Sequence, residues 1–106
     1  MLYELRYYYI EPGKRQAFVE IMESLIIPFQ HSQGMIVLGS FIDKDDDNCY
    51  IWLRRYRDET DKKEVYDRVY GSEYWSNTIR PKIGDMIIRE KTHVNMLQPT
   101  AGSILQ

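Results

Sequence analysis

Cysteine occurs once in the 106 residues, at position 49. An intrachain disulfide is therefore excluded, and a lone thiol within an apolar run suits a reducing compartment. Read as a small buried hydrophobe, Cys49 needs no further role. Neither sign of charge dominates. Fourteen lysines and arginines against sixteen aspartates and glutamates leave −2, and the basic residues are dispersed. That excludes the electrostatic footprint of a nucleic-acid-binding protein. No apolar run approaches the roughly 20 residues of a membrane span. Histidine is scarce too. His31 and His93 have no further ligands at metal-binding spacing, so no metal is expected. Cys-x-x-Cys, His-Glu-x-x-His, a glycine-rich phosphate loop and a Gly-x-Ser-x-Gly elbow are all missing. No cofactor is expected. Met1-Leu2-Tyr3-Glu4 enters a strand pattern with no signal peptide ahead of it, which with the single thiol gives a cytoplasmic expectation.

What the chain has is an ordinary globular composition, 43% apolar and 28% charged, with nine tyrosines. Its length fits one domain, residues 1–106, with one core. Tyrosine suits surfaces that are buried yet polar at one end, although several of the nine can be plain strand residues.

Cys49-Tyr50-Ile51-Trp52-Leu53-Arg54-Arg55-Tyr56 is the most informative stretch. Aromatic and β-branched residues make it a strand. Tyr50, Trp52, Arg54 and Tyr56 share one face; Ile51, Leu53 and Arg55 share the other. Neither face is simply polar, so both are expected to be covered. An arginine on a covered face needs a partner. Residues 2–10 form an earlier strand, with Glu4, Arg6 and Tyr8 on one face and Tyr3, Leu5, Tyr7 and Tyr9 on the other, closed by Pro12-Gly13. A helix begins near Lys14, its apolar face built from Phe18, Ile21, Met22, Leu25 and Phe29, with Pro28 kinking or ending it. Residues 35–43 make a second strand. Lys44-Asp45-Asp46-Asp47-Asn48 turns it into a hairpin with 49–56. This acidic loop lacks the glycine and distal glutamate of an EF-hand and reads as a solvated turn. Asp58 and Thr60 are candidate caps of a second helix, with Val65, Tyr66, Val69 and Tyr70 as its buried stripe. Gly71-Ser72 interrupts it. Ser72 can cap a short helix carrying Tyr74, Trp75 and Ile79. Pro81 and Gly84 break the next turn, residues 86–97 form a last strand, and Pro99 starts a tail.

The order strand–helix–strand–strand–helix–strand is the α+β, ferredoxin-like arrangement, a four-stranded antiparallel sheet with the first and third strands central. Two helices cover one face only. The other face is apolar, so a second layer is required, and the simplest source is another copy of the same sheet about a two-fold axis. A homodimer formed by sheet-to-sheet packing is the expected partner arrangement; neither nucleic acid nor a membrane is.

Several stretches resemble the NIPSNAP family. They are Tyr3-Glu4-Leu5-Arg6-x-Tyr8 with Pro12-Gly13-Lys14, Ile51-Trp52-Leu53-Arg54-Arg55-Tyr56-x-Asp58-Glu59, Val69-Tyr70-Gly71-Ser72-x-x-Trp75, and Arg89-Glu90-Lys91 with Leu97-x-Pro99-Thr100-x-Gly102. Many members carry a histidine and then a tryptophan two residues apart in the third strand. Trp52 and Arg54 stand there here, so no role of that histidine transfers. The resemblance implies a dimeric α/β barrel with helices outside. The wider superfamily includes cofactor-independent oxygenases, haem-degrading enzymes, isomerases and members without known chemistry. His93 alone is weak support for a haem ligand.

If the two central strands present matching faces, Glu4, Arg6, Tyr8, Trp52, Arg54 and Tyr56 converge beneath the helices, with Trp75 and Tyr74 able to close the space. This is the makeup of a pocket for a small anionic or aromatic molecule. Three readings follow. The chain binds a small organic ligand. Alternatively, it is a cofactor-independent monooxygenase or isomerase, in which Arg54 or Arg6 stabilises an enolate or phenolate and a tyrosine or Glu4 moves the proton. Or the charges are internal glue in a structural or interaction protein, with Glu4 paired to Arg6 or Arg54.

Overall fold

Alternation along the strands is realised in the register of the sheet. The structure, a computed structural model, describes residues 1–106. The strands are β1 (Leu2–Tyr9), β2 (Ile36–Ile42), β3 (Cys49–Tyr56) and β4 (His93–Leu97), in the order β2-β3-β1-β4. All pairings are antiparallel, and β1 and β3 are central as expected. Their register sets Glu4 opposite Arg54, Arg6 opposite Trp52 and Tyr8 opposite Tyr50. The two expected faces therefore coincide. Tyr50, Trp52, Arg54 and Tyr56 are all buried, whereas Ile51, Leu53 and Arg55 are half-buried.

One face is covered by three helical segments. The first, α1, spans residues 15–32 without a break: α-helical Arg15–Ile21, π-helical Met22–Ile26, then α-helical Ile27–Ser32. Pro28 does not end it. The residue before the proline, Ile27, donates its N–H to the carbonyl of Met22, five residues back. The widened turn gives room for a ring that would otherwise press on the carbonyl four back. It also changes the buried face. Phe18, Met22, Ile26 and Gln30 are buried, a repeat of four, while Ile21 and Leu25 are only half-buried. The expected stripe assumed 3.6 residues per turn throughout. Gly34 (φ 88°) takes the chain out of the helix in the left-handed conformation open to glycine.

The second helix, α2, is Glu59–Tyr70, capped by Asp58, whose side chain accepts the Asp61 N–H at 2.8 Å; Thr60 lies inside it. The third, α3, covers residues 73–83 and repeats the device of α1. Ser72 Oγ accepts the Trp75 N–H at 3.1 Å, Trp75–Ile79 is π-helical, and Arg80 donates to the carbonyl of Trp75. The helix then continues through Pro81 to Ile83. So neither proline breaks its helix; each follows a widened turn.

The last strand is shorter than expected. Of residues 86–97, only His93–Leu97 form β4. Ile87 makes an isolated bridge to Ile10, and Arg89–Lys91 close a 3₁₀ turn between them. Lys91 N–H turns inward to the carbonyl of Ile88 and leaves the ladder.

Beneath the helices lie two apolar clusters. One holds Ile10, Phe18, Met22, Ile26, Tyr50, Trp52, Ile79 and Ile83; the other holds Leu2, Met35, Tyr56, Val65 and Val69. Along β3 the boundary between them is Arg54. The opposite face of the sheet carries Leu5, Tyr7, Ile51 and Leu53, half-buried, and Phe41, exposed. One end of that face is covered by the chain's own tail, where the Tyr3 hydroxyl donates to the Gln106 carbonyl at 2.9 Å. A bulge in β2 between Val37 and Gly39 sets Ile36 opposite Arg55 and Phe41 opposite Ile51, both on the open face. The Phe41 ring lies over Gly39, where a Cβ would collide with it.

Phe18 is the point at which α1 is fastened to the sheet. It is fully buried and packs edge-on against Tyr50 at 5.3 Å between centroids. Phe18→Ala is expected to cost about 3–5 kcal/mol, read from urea unfolding; a loss under about 1 kcal/mol would contradict this packing.

Candidate functional site

Glu4 and Arg54 meet because β1 and β3 are paired in the register that sets them opposite. Glu4 is 1% and Arg54 0% exposed. Arg54 Nη2 lies 2.7 Å from Glu4 Oε1, and its Nε donates to the same oxygen at 2.9 Å. A buried guanidinium must place its other N–H groups as well. Arg54 Nη1 donates to the Tyr70 hydroxyl at 2.7 Å, to Gln30 Oε1 at 3.3 Å and to Met35 Sδ at 3.0 Å; Nη2 donates to the Tyr66 hydroxyl at 2.8 Å. Its face lies over the Trp52 ring, 4.4 Å from the centroid. The carboxylate is equally occupied. Tyr56 donates its hydroxyl to Oε1 at 2.8 Å, Tyr66 donates to Oε2, and Arg6 Nε donates to Oε2 at 3.2 Å.

These partners set the protonation states. Burial by itself would raise the Glu4 carboxyl, but the Arg54 charge, the Tyr66 hydroxyl, the Arg6 charge and the Tyr56 hydroxyl bring it down to about 2. Burial pushes the Tyr66 phenol up to about 12, against the pull of Arg54, and raises Tyr56 and Tyr70 as well. For Arg54 burial works against charge, and the surrounding phenols and Glu4 outweigh it, so the guanidinium stays protonated. Glu4 is therefore an anion held in place by donors, poorly suited to taking a proton near neutrality.

A cavity of about 480 Å³ adjoins this cluster, within the size range of small-molecule sites. Its thirteen lining residues comprise ten apolar or aromatic side chains and three arginines. Sheet residues Arg6, Tyr8 and Trp52 line it from one side. The α1 residues Phe18, Met22 and Ile26, with Tyr66 and Tyr70 of α2 and Trp75, Arg80 and Ile83 of α3, form the rest, and Ile87 and Arg89 complete it. Met22, Ile26 and Trp75 belong to the two π-helical turns. The Trp52 indole N–H is buried and has no hydrogen-bond partner.

The seven residues singled out from the sequence thus divide. Arg6, Tyr8, Trp52 and Trp75 line the cavity; Glu4, Arg54 and Tyr56 lie outside that lining, in the closed cluster beside it. Tyr74 does not close the space: it is 40% exposed and packs at a tilt against Phe29. Sequence reasoning missed Gln30, Arg80 and Arg89. Gln30 was hidden by the widened helix register. Tyr66 and Tyr70 were placed in a buried stripe, and their four-residue spacing is what brings both hydroxyls to Arg54. His31 takes the Val37 N–H at 3.1 Å, and His93 lies beside Tyr7 on the open face. No cluster of three or more His, Cys, Asp or Glu side chains is placed to hold a metal ion. No helix is long and apolar enough to cross a membrane.

Replacing Glu4 leaves Arg54 buried without its counter-charge. Glu4→Gln is expected to destabilise the protein by about 3–5 kcal/mol, and Tyr56→Phe, which removes one donor, by about 1–3 kcal/mol. Chemical denaturation of the two variants in parallel checks the order. Since the folded carboxyl titrates near 2 and its ordinary value is 4.5, its contribution is fully present above about 4.5 and is lost as pH falls toward 2. Acid titration of wild type and Glu4→Gln should show that sensitivity in the first and its reduction in the second.

A NIPSNAP family protein with unknown function from Agrobacterium tumefaciens is 25% identical, with a TM-score of 0.89, covering 100% of this chain and 94% of that one. An uncharacterised NIPSNAP domain protein from Burkholderia xenovorans is 20% identical, covering 97% and 98%, with a TM-score of 0.85. A putative antibiotic biosynthesis monooxygenase from Nitrosomonas europaea shares the fold at 14% identity, covering 93% and 98%, with a TM-score of 0.72. No match was found among curated proteins. The NIPSNAP family model matches residues 3–103, and with that span the chain belongs to the NIPSNAP family.

Proposed function

We propose that this chain binds a small organic molecule in the cavity between sheet and helices, and that it does so as a homodimer paired through the open faces of two sheets. The observation that carries the binding reading is the cavity itself: about 480 Å³, walled by aromatic and aliphatic side chains, beside a buried indole N–H without a partner. Apolar walls with a few polar groups are what ligand sites consist of. The Glu4–Arg54 cluster is structural in this reading, the internal glue that fixes one wall. Cytoplasmic residence is part of the same reading, in keeping with a buried, unpaired Cys49.

An oxygenase or isomerase mechanism has less behind it. Proton abstraction needs a base within reach, yet neither a carboxylate nor an imidazole lines the cavity, and Glu4 is an engaged anion. The dimer is supported by the open face, where Leu5, Tyr7, Ile51 and Leu53 stay half-buried and Phe41 is 54% exposed, and where the chain itself supplies only its tail at one end.

Native mass spectrometry of gently purified protein, with Trp75→Ala as the comparison, tests binding. A small molecule retained by wild type and lost from the variant is expected; an empty wild type that also fails to take up any member of an aromatic ligand panel would sink the reading. Light scattering should give twice the 12.7 kDa of one chain, and Leu53→Asp should halve it. A stable wild-type monomer at micromolar concentration would end the dimer proposal.

A further inference from the structure

The charges around the cavity do not balance. Arg6, Arg80 and Arg89 line it, and no acidic side chain does. The one carboxylate behind the wall, Glu4, is shared by two guanidiniums, Arg54 and Arg6. Arg80 and Arg89 make neither an ion pair nor a side-chain hydrogen bond. One negative charge thus faces four positive ones.

The hydrogen-bonding groups are one-sided in the same sense. The Tyr66 hydroxyl accepts from Arg54 and donates to Glu4, and Tyr70 accepts from Arg54, so both face inward to the cluster. Tyr8 accepts from Arg6 Nη1 at 3.0 Å, which leaves its own O–H to donate. The Trp52 N–H has no acceptor but is fully buried, so it is not among the groups a ligand can reach. The groups left to meet a ligand are therefore N–H and O–H donors, and a molecule that satisfies them must bring acceptors. Guanidiniums are suited above all to carboxylate and phosphate oxygens.

The shape of the wall adds the body of the ligand. Trp52 and Tyr8 lie with ring centroids 5.8 Å apart, and Trp75 meets Tyr70 edge-on at 4.8 Å. Of these rings Tyr8 and Trp75, both half-buried, offer surface to the cavity, while Trp52 is 2% exposed with Arg54 over one face and backs the wall; aliphatic Met22, Ile26 and Ile83 are filling. We propose that the cavity takes an aromatic organic anion, its carboxylate or phosphate oxygens held by Arg6, Arg80 and Arg89 and its ring system packed against Trp75 and Tyr8. This rests on the binding reading above and gives that site its ligand class.

Isothermal titration calorimetry with four probes tests it: 2-naphthoate, its neutral counterpart 2-naphthamide, 2-naphthyl phosphate, and decanoate as an acid without a ring. One or both naphthyl anions should bind on the order of tenfold or more tighter than the amide, and the tighter of the two identifies carboxylate or phosphate as the preferred head. Decanoate should bind more weakly than 2-naphthoate. Arg80→Gln and Arg89→Gln should each narrow the gap between the preferred anion and the amide. Equal affinity for amide and anions, or a gap untouched in both variants, overturns the anion assignment and leaves the cavity as a binding site. Decanoate as tight as 2-naphthoate overturns the aromatic assignment. No binding of any of the four overturns this proposal and the binding reading together.

Discussion

One buried ion pair holds the architecture in its register. Glu4 and Arg54 lie opposite each other on the two central strands, and their remaining bonds reach two of the three helices on that side of the sheet and the entry to β2. Gln30 comes from α1, Met35 from the entry to β2, and Tyr66 and Tyr70 from α2. Without such partners a charge so deeply buried would cost several kcal/mol. With them, each element has one position in which the donors and acceptors match. A slip of a strand by one residue would turn Arg54 to the other face and leave Glu4 facing nothing. The pair is a constraint on geometry more than a source of net stability, because desolvation offsets much of the attraction.

The same pair decides what the neighbouring space can be. Glu4 has no free lone-pair direction aimed at a substrate, and Tyr66 joins the two regions: its ring lines the cavity while its hydroxyl belongs to the cluster. The wall is therefore rigid on the sheet side. On the helix side Met22, Ile26 and Trp75 come from π-helical turns. Such turns occur often at functional sites. Here they re-aim side chains at intervals of four, which packs bulky groups in line along the cavity.

Much of the framework was legible in the sequence. The order of elements carried the strand order, and the alternation in 49–56 and in 2–10, with an arginine on a face too apolar to be wet, carried the shared face and the need for a partner to Arg54. Residues read as two functions in one, however, proved to be two sites side by side, and alternation has no means of separating them. Both lie on one face; depth differs, and depth depends on which helix stands above. The helices were less legible because a proline reads as a kink, an end or a break. The widened turns that accommodate Pro28 and Pro81 shift the buried positions, so Gln30 entered the core and Arg80 reached the cavity unannounced. Arg89 stood in a stretch already noticed, but the 3₁₀ turn that leads it to the cavity interrupts what looked like continuous strand.

The bulge in β2 has a consequence for how this chain can vary in length. Ile36 and Phe41 are five residues apart, an odd interval, and in a regular strand they would point to opposite faces. The extra residue at the bulge restores their agreement, so both lie on the open face. Loss of Leu38 would remove the bulge and make the interval four, so a regular strand would still hold both on the open face, whereas loss of Ser40 with the bulge kept would direct Ile36 or Phe41 toward the helices. A gain of one in the 44–48 turn would leave this parity intact, since the turn is exposed and outside the ladder. Insertions and deletions are thus tolerated unequally a few residues apart on the same hairpin.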